Sequence, residues 1–426
     1  MRINALANDS SQSPVALGSA EERVIAIPNS SFSNKINGMT PPLPSRAFFH
    51  ALESLRGIAA LGIVFVHIAS AWTFPFYDFG LIRNGYLMVD LFFVLSGFVI
   101  CHSYGSRIET GQDAARFVWV RFGRLYPLHL TFLFVFLGFE VAKYIGETQY
   151  SLMAHSRAFT SNNAFSFLSN LLLIQGLGIH DKDTYNLPAW SISTEFYAYI
   201  IFAASLLLFK TRVAMVLVSG LLIFASVTLD SGKLDHHIFR CVEGFFVGVI
   251  TYHCYEAWPQ RYFTKLKRKW HMDSPGIFAF AGVMIFVAMK GGSGIDTLIL
   301  PLVAVLILSI AVTPEGRLNT ILEVAPLRWV GKVSYSIYMV HMAVIWSLAQ
   351  VLRLGLQTPR SIDGNGNPLL TPHPMTGFLF LAAAITCTLL ISHVTYTYIE
   401  DPCRRKSKKL AEKWFPVPTA NSTVQT

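Results

Sequence analysis

Ten apolar runs, each close to the length that crosses a bilayer as an α-helix, constrain this 426-residue chain more than any other feature. A spanning helix needs roughly 20 mostly apolar residues, and lipid offers the backbone no hydrogen-bond partners, so the helix must satisfy its own. The runs cover about 55–75, 86–104, 125–146, 188–209, 213–230, 237–256, 275–290, 295–313, 333–353 and 376–399. An eleventh, 165–179, is short for a span. Only 14% of the residues are charged, against roughly 25% in soluble domains, so most of the chain faces something other than water. The predicted fold is all-α: a polytopic membrane helical bundle of about ten transmembrane helices in the lipid bilayer, plus one short re-entrant or interfacial segment.

The formal net charge is +9, which could suggest a nucleic-acid partner. The positive residues sit in short clusters between apolar runs rather than on one domain, which is the positive-inside pattern, and no nucleic acid is expected. With a cytosolic N-terminus and ten crossings, the cytosolic segments are the basic ones. They hold Arg107, Arg116, Arg121 and Arg124; Lys210 and Arg212; Arg261, Lys265, Lys267, Arg268 and Lys269; Arg317, Arg328 and Lys332; and Arg404 to Lys409. The opposite loops are thinner in charge, with Arg83, Arg157, Lys182, Lys233, Arg353 and Arg360. A crossing at 165–179 would turn the most basic clusters outward, so that segment is read as re-entrant or interfacial on the outer side. Both termini are then cytosolic. The expected division is a disordered tail over 1–46, poor in helical periodicity, a transmembrane domain over 47–405, and a basic cytosolic tail over 406–426. The five cysteines are odd in number and form no CxxC pair, so neither a disulfide framework nor a metal site is suggested.

Ionisable groups within a span are costly and point to function by default. The first run contains Arg56 and His67. Eleven residues are almost three helical turns, so both side chains lie on one face, roughly 16 Å apart along the axis. The structural alternative is a helix–helix hydrogen bond for His67 and a snorkelling Arg56. The second run holds Asp90 near its outer end, with Ser96 and Gly97 near the middle, where small residues let a helix or a ligand approach. In the loop that follows, Arg121 and Arg124 share a helical face next to Pro127 and could grip phosphate groups, or simply face lipid headgroups. Glu195 lies about two turns into the run that opens NLPAWSISTE, and His341 roughly 12 Å into the ninth run. Near the last span, Glu400 and Arg404 could pair at the interface. Together these groups trace a polar route through the bilayer, which suits a transfer between the two sides and equally suits a transporter.

Six segments resemble the acyltransferase family 3 of membrane proteins. They are Arg56-x10-His67 within LRGIAALGIVFVH, FFVLSGF at 92–98, Arg121-x-x-Arg124-x-x-Pro127, WSISTE at 190–195, YSIYMVH at 335–341 and the terminal EDPCRR. They occur in the family's order across residues 50–405. Ser54 stands where the family often has Gly, away from the charged positions. The resemblance implies O-acylation of a carbohydrate or lipid-linked glycan of the bacterial envelope, such as an exopolysaccharide or lipopolysaccharide. It also implies acyl-CoA (acetyl-CoA) as co-substrate, no tightly bound cofactor, no metal, and a bacterial inner (plasma) membrane location. The family's extracytoplasmic hydrolase-like domain is not expected here.

On that resemblance His67 and Arg56 are the catalytic pair, and Arg121 and Arg124 bind the donor. Asp90, Ser96, Glu195 and His341 support the site or bind the acceptor. His67 would act as general base or carry the acyl group, and Arg56 would orient the donor or stabilise an oxyanion. The rival from another class is a multi-pass solute transporter or flippase; a third reading is a sensor subunit that only binds a glycan. The sequence sets neither the acyl group, the acceptor nor the oligomeric state, and acceptor choice is assigned to the loops 147–187 and 354–375.

Overall fold

The computed structural model describes residues 50–152, 156–230, 237–257, 275–289, 296–364 and 366–416. The tail over 1–46, the basic cluster from Arg261 to Lys269 and the last ten residues lie outside the described residues. In chain order the helices are α1 (His50–Ala69), α2 (Gly80–Arg83), α3 (Met88–Tyr104), α4 (Gly111–Tyr150), α5 (Ala164–Leu171), α6 (Trp190–Leu208), α7 (Arg212–Asp230) and α8 (His237–Ala257). After these come α9 (Pro275–Met289), α10 (Ile299–Val312), α11 (Arg317–Leu322), α12 (Ala325–Lys332), α13 (Ser334–Gln350), α14 (Pro374–Thr395) and α15 (Asp401–Trp414). One hairpin, β1 (Arg360–Ile362) with β2 (Pro368–Leu370), pairs antiparallel with Arg360 opposite Leu370.

Among the described residues, seven helical stretches are long and apolar enough to cross a membrane: His50–Ala69, Gly85–Tyr104, Gly111–Tyr150, Leu187–Leu208, Arg212–Leu229, Ser334–Gly355 and Pro374–Trp414. Helices also stand at the other three predicted spans, but α9 and the Asp296–Val312 stretch are short, and α8 carries Arg240, Glu243 and Glu256. Length and apolarity alone therefore support seven crossings. The doubtful 165–179 run contains a helix of eight residues, about 12 Å long, after which the chain turns. That is too short to cross as a helix.

α4 begins well before its apolar run. A capping box starts it: the Thr110 hydroxyl accepts from the Asp113 backbone N–H, and Asp113 accepts from the Thr110 N–H. The helix then continues unbroken for 40 residues through Pro127. Arg121 and Arg124 thus stand on the helix itself rather than in a loop. The basic segment after Glu400 is the amphipathic helix α15, which lies along α4. The Trp119 indole donates to the Ser407 carbonyl at 3.3 Å, and Trp414 packs on Trp119 with ring centroids 4.8 Å apart.

α3 and α8 pack so closely that side chains are excluded at the crossing. A Cβ on Gly97 would overlap the Phe245 carbonyl oxygen, and one on Gly248 would overlap that of Val94. The loop between α4 and α6 is ordered by buried polar groups. Glu140 accepts from Asn162 Nδ2 at 2.7 Å and the Phe159 N–H at 2.9 Å, and pairs with Lys143 at 2.8 Å. Burial pushes the Tyr185 hydroxyl up to about 12, so it stays protonated and donates to the Asn162 carbonyl at 3.0 Å. The other long loop is pinned by β2, where the Thr73 N–H donates to the Leu370 carbonyl at 2.9 Å.

Candidate functional site

Five helices converge on a partly open cavity of about 80 Å³, room for a few waters. Arg56 reaches it from α1, Ser96 from α3, Arg121 and Arg124 from α4, Glu195 and Tyr199 from α6, and Tyr335 and Tyr338 from α13. The spacing explains the convergence: Glu195 and Tyr199 stand four residues apart on one helical face, and Arg121 and Arg124 three apart on another. Ser96 Oγ and the Tyr199 hydroxyl each donate to Glu195 Oε1 at 2.6 Å. Glu195 Oε2 has no hydrogen-bond partner among the described residues.

The arginines are the informative part. The Arg121 guanidinium lies over the rings of Tyr104, Phe117 and Tyr199 at 4.8, 5.7 and 5.7 Å. Its Nε is buried without a hydrogen-bond partner. Among the described residues, none of Arg56, Arg121 and Arg124 forms an ion pair within 4 Å. Arg124 feels the carboxylates of Glu400 and Glu195, while Arg56 and Arg124 repel each other. Glu400 is 4% exposed and accepts from Ser336 Oγ at 2.7 Å. The cavity wall therefore holds three guanidiniums against the single carboxylate of Glu195. Cations that are partly buried without an ion-pair partner make the arrangement receptive to an anion.

His67 lies elsewhere along the same helix. α1 is continuous from His50 to Ala69, which separates Arg56 and His67 by about 16 Å. His67 Nδ1 is 3.0 Å from His341 Nε2, and His341 is fully buried. His341 Nδ1 is 3.2 Å from the Ile337 carbonyl. A carbonyl only accepts, so His341 carries its proton on Nδ1 and presents a lone pair at Nε2. His67 must then donate from Nδ1, which leaves His67 Nε2 as the unprotonated nitrogen. Tyr338, with its ring centroid 5.8 Å from that of His341, stands between the pair and the arginine cavity that it also lines.

Asp90 is engaged by a residue the sequence reading did not single out. Arg240 Nε donates to Asp90 Oδ1 at 2.8 Å and its Nη2 to Oδ2 at 2.7 Å. The structure thus brings Arg56, Ser96, Arg121, Arg124 and Glu195 together, joins His341 to His67, and places Asp90 in a separate pair. Arg404 pairs with Asp401 instead of Glu400. Tyr199 was legible as the residue one turn beyond Glu195, and Arg240 as an ionisable group within a predicted span. Glu400 reads as a surface residue in sequence and turns inward because the helical turn at Tyr396–Glu400 leads into α15.

Comparison with known proteins follows the same residues. The chain is 23% identical over 397 residues to the peptidoglycan O-acetyltransferase OatA of Listeria monocytogenes, covering 85% of this chain and 56% of that protein. It is 23% identical over 391 residues to the O-acetyltransferase OatA of Staphylococcus aureus, covering 86% and 58%. A shorter protein of Rhizobium radiobacter, protein 2 in the picA locus, is 31% identical over 161 residues, covering 36% of this chain and 81% of that one. The chain thus spans little more than half the length of the two O-acetyltransferases. No solved structure matches it. The sequence profile of the acyltransferase domain family matches residues 49–396, and on that match the chain belongs to this family.

Proposed function

We propose that the protein is a membrane-bound O-acyltransferase that moves an acyl group from acyl-CoA to a hydroxyl of a carbohydrate or lipid-linked glycan. The observation that carries this reading is the cavity of three arginines without ion pairs, one of which, Arg56, stands on the same helix as His67. The arginines fit the phosphates of an anionic donor, and the histidine fits a base. Acetyl is the group favoured, since it is the one in the relatives' names.

In this scheme Arg121 and Arg124 hold the donor phosphates by charge-assisted hydrogen bonds. The pantetheine arm then extends along α1 toward His67. His67 Nε2 takes the proton of the acceptor hydroxyl as its oxygen attacks the thioester carbon. The C–S bond breaks, and the coenzyme A thiolate leaves and recovers a proton. Arg56 orients the donor within the cavity. In this reading, which the basic loops favour, the arginine end of the route lies on the cytosolic side of a bacterial inner membrane, with ten crossings, three of them by the shorter or more polar helices, and both termini inside. The acceptor, an envelope glycan such as peptidoglycan, exopolysaccharide or lipopolysaccharide, then meets His67 from the outer half.

Purified protein in lipid nanodiscs, given acetyl-CoA labelled in the acetyl group and candidate glycans, should yield label bound covalently to one glycan. Movement of a glycan or solute across vesicles with its covalent structure unchanged, and no transfer from any acyl-CoA, would replace this reading with transport.

A further inference from the structure

A second cavity, of about 470 Å³ and within the size range of pockets that hold small ligands, is walled by Tyr104 and Phe117, the rings on which Arg121 of the first cavity packs. Tyr104 and Arg107 wall it at the end of α3, Arg116 and Phe117 on the first turns of α4, and Lys408 on α15. The positions 113, 116, 117, 120, 121 and 124 recur at three- and four-residue spacing. One face of α4 therefore runs from this vestibule to the inner cavity over about 16 Å. Arg121 is the partition. It lines the inner cavity while its guanidinium packs on Tyr104 and Phe117, which line the vestibule.

The vestibule is basic. Among the described residues Arg107, Arg116 and Lys408 form no ion pair within 4 Å. Two carboxylates, Asp113 and Glu412, share the wall. Asp113 is committed to the start of α4, where its Oδ2 accepts from the backbone of Glu109 and Thr110 and from the Thr110 hydroxyl. The α15 wall also lies beyond the residues 49–396 that the family profile matches.

We propose that the vestibule is the site for the 3′-phosphorylated nucleoside end of the donor, selecting coenzyme A over donors that lack the 3′-phosphate. This rests on reading the donor as acyl-CoA. A phosphomonoester brings nearly two negative charges and three acceptor oxygens, and two guanidinium forks with one ammonium match them. The ligand then lies in a single order: 3′-phosphate at Arg107, Arg116 and Lys408, diphosphate at Arg121 and Arg124, thioester toward His67. The buried Nε of Arg121, without a partner, stands where the diphosphate passes.

The test compares acetyl-CoA with acetyl-dephospho-CoA, which differs only by the 3′-phosphate, using the full chain in nanodiscs. The wild type should show a KM about tenfold or more lower for acetyl-CoA, the scale of one or two charge-assisted contacts. In Arg116→Gln and in Lys408→Gln that preference should collapse toward one. Adenosine 3′,5′-bisphosphate should compete with the donor in the wild type and much more weakly in the variants. A preference that survives both substitutions overturns the site while leaving the acyl-CoA reading intact. So does rescue by phosphatidylglycerol with no inhibition by the bisphosphate, which would assign the same phosphate chemistry to a lipid headgroup. A wild type that uses neither thioester overturns the donor reading and the site with it. If one variant is inactive with both donors, the other and Arg107→Gln decide.

Discussion

His67 Nδ1 lies 3.0 Å from His341 Nε2, joining α1 to α13 through a pair of imidazoles 274 residues apart in the chain. Because His341 spends its own N–H on the Ile337 carbonyl, the pair has a direction. His341 accepts, His67 donates, and the far nitrogen of His67 is the one able to take a proton. His67→Ala should lower acyl transfer by about 100-fold to 10,000-fold while expression and membrane insertion are retained, with at most a modest loss of stability from the unpaired His341 Nε2. Activity within a few-fold of wild type would remove His67 from the chemistry.

His341 acts through His67. His341→Ala removes the imidazole acceptor that fixes the His67 ring, leaving the Ile63 carbonyl as its neighbouring acceptor, and kcat should fall on the order of 100-fold. In His341→Gln the amide oxygen can accept the same bond, so part of that loss should be recovered and the pH profile of kcat should return toward wild type. Equal loss in the two variants would mean that His341 serves packing alone.

Glu195 gathers two hydroxyl protons on one oxygen. Glu195→Ala removes the acceptor that Ser96 and Tyr199 share, leaving the two hydroxyls, 3.2 Å apart, only each other, and removes the carboxylate from the cavity wall. We expect a loss of about 1–3 kcal/mol in stability, read as a lower denaturation midpoint in detergent. Tyr199→Phe, which removes only one donor, should cost about 1 kcal/mol.

Asp90 and Arg240 form a bidentate pair in which the Asp90 side chain is 5% exposed and that of Arg240 31%. Asp90→Ala should destabilise the protein by about 2–3 kcal/mol, at the low end for a broken buried pair because Arg240 keeps some contact with solvent. The double variant Asp90→Ala, Arg240→Met should recover most of that loss. A double variant no more stable than the single one would show that the charges themselves are not what couples α3 to α8.

Gly97 and Gly248 face each other's helix where backbone meets backbone. Gly97→Ala must push α8 away from α3 and move Ser96 relative to Glu195, so it should cost about 3 kcal/mol or more and also reduce transfer. Folded protein recovered at the wild-type level would show that the crossing can open without strain.

How much of this was legible before folding differs by type of information. Apolar run length is local, so the helices at all ten predicted segments could be placed from sequence, with their ends off by several residues. α4 shows why: its start is set by the Thr110–Asp113 capping box, a polar signal well outside the apolar run that marked the span. The 165–179 run illustrates the opposite case, since eight helical residues followed by turns are held by buried side-chain hydrogen bonds to distant helices that hydropathy does not register.

The site divides along the same line. Sequence alone determined that Arg56, His67, Arg121, Arg124, Glu195 and His341 are ionisable groups in or beside apolar helices, and that Arg56 and His67 share a face. Helical periodicity and the cost of charge in lipid are properties of a single segment, which is why they can be read without a structure. Only the tertiary structure decided who meets whom: His341 with His67, Asp90 with Arg240, Glu195 with Ser96 and Tyr199, and three arginines around one cavity without ion pairs. Those relations depend on the crossing of helices far apart in the chain, at places such as Gly97 against Phe245 and Gly248 against Val94, and spacing along one helix carries no information about the rotation of its neighbour.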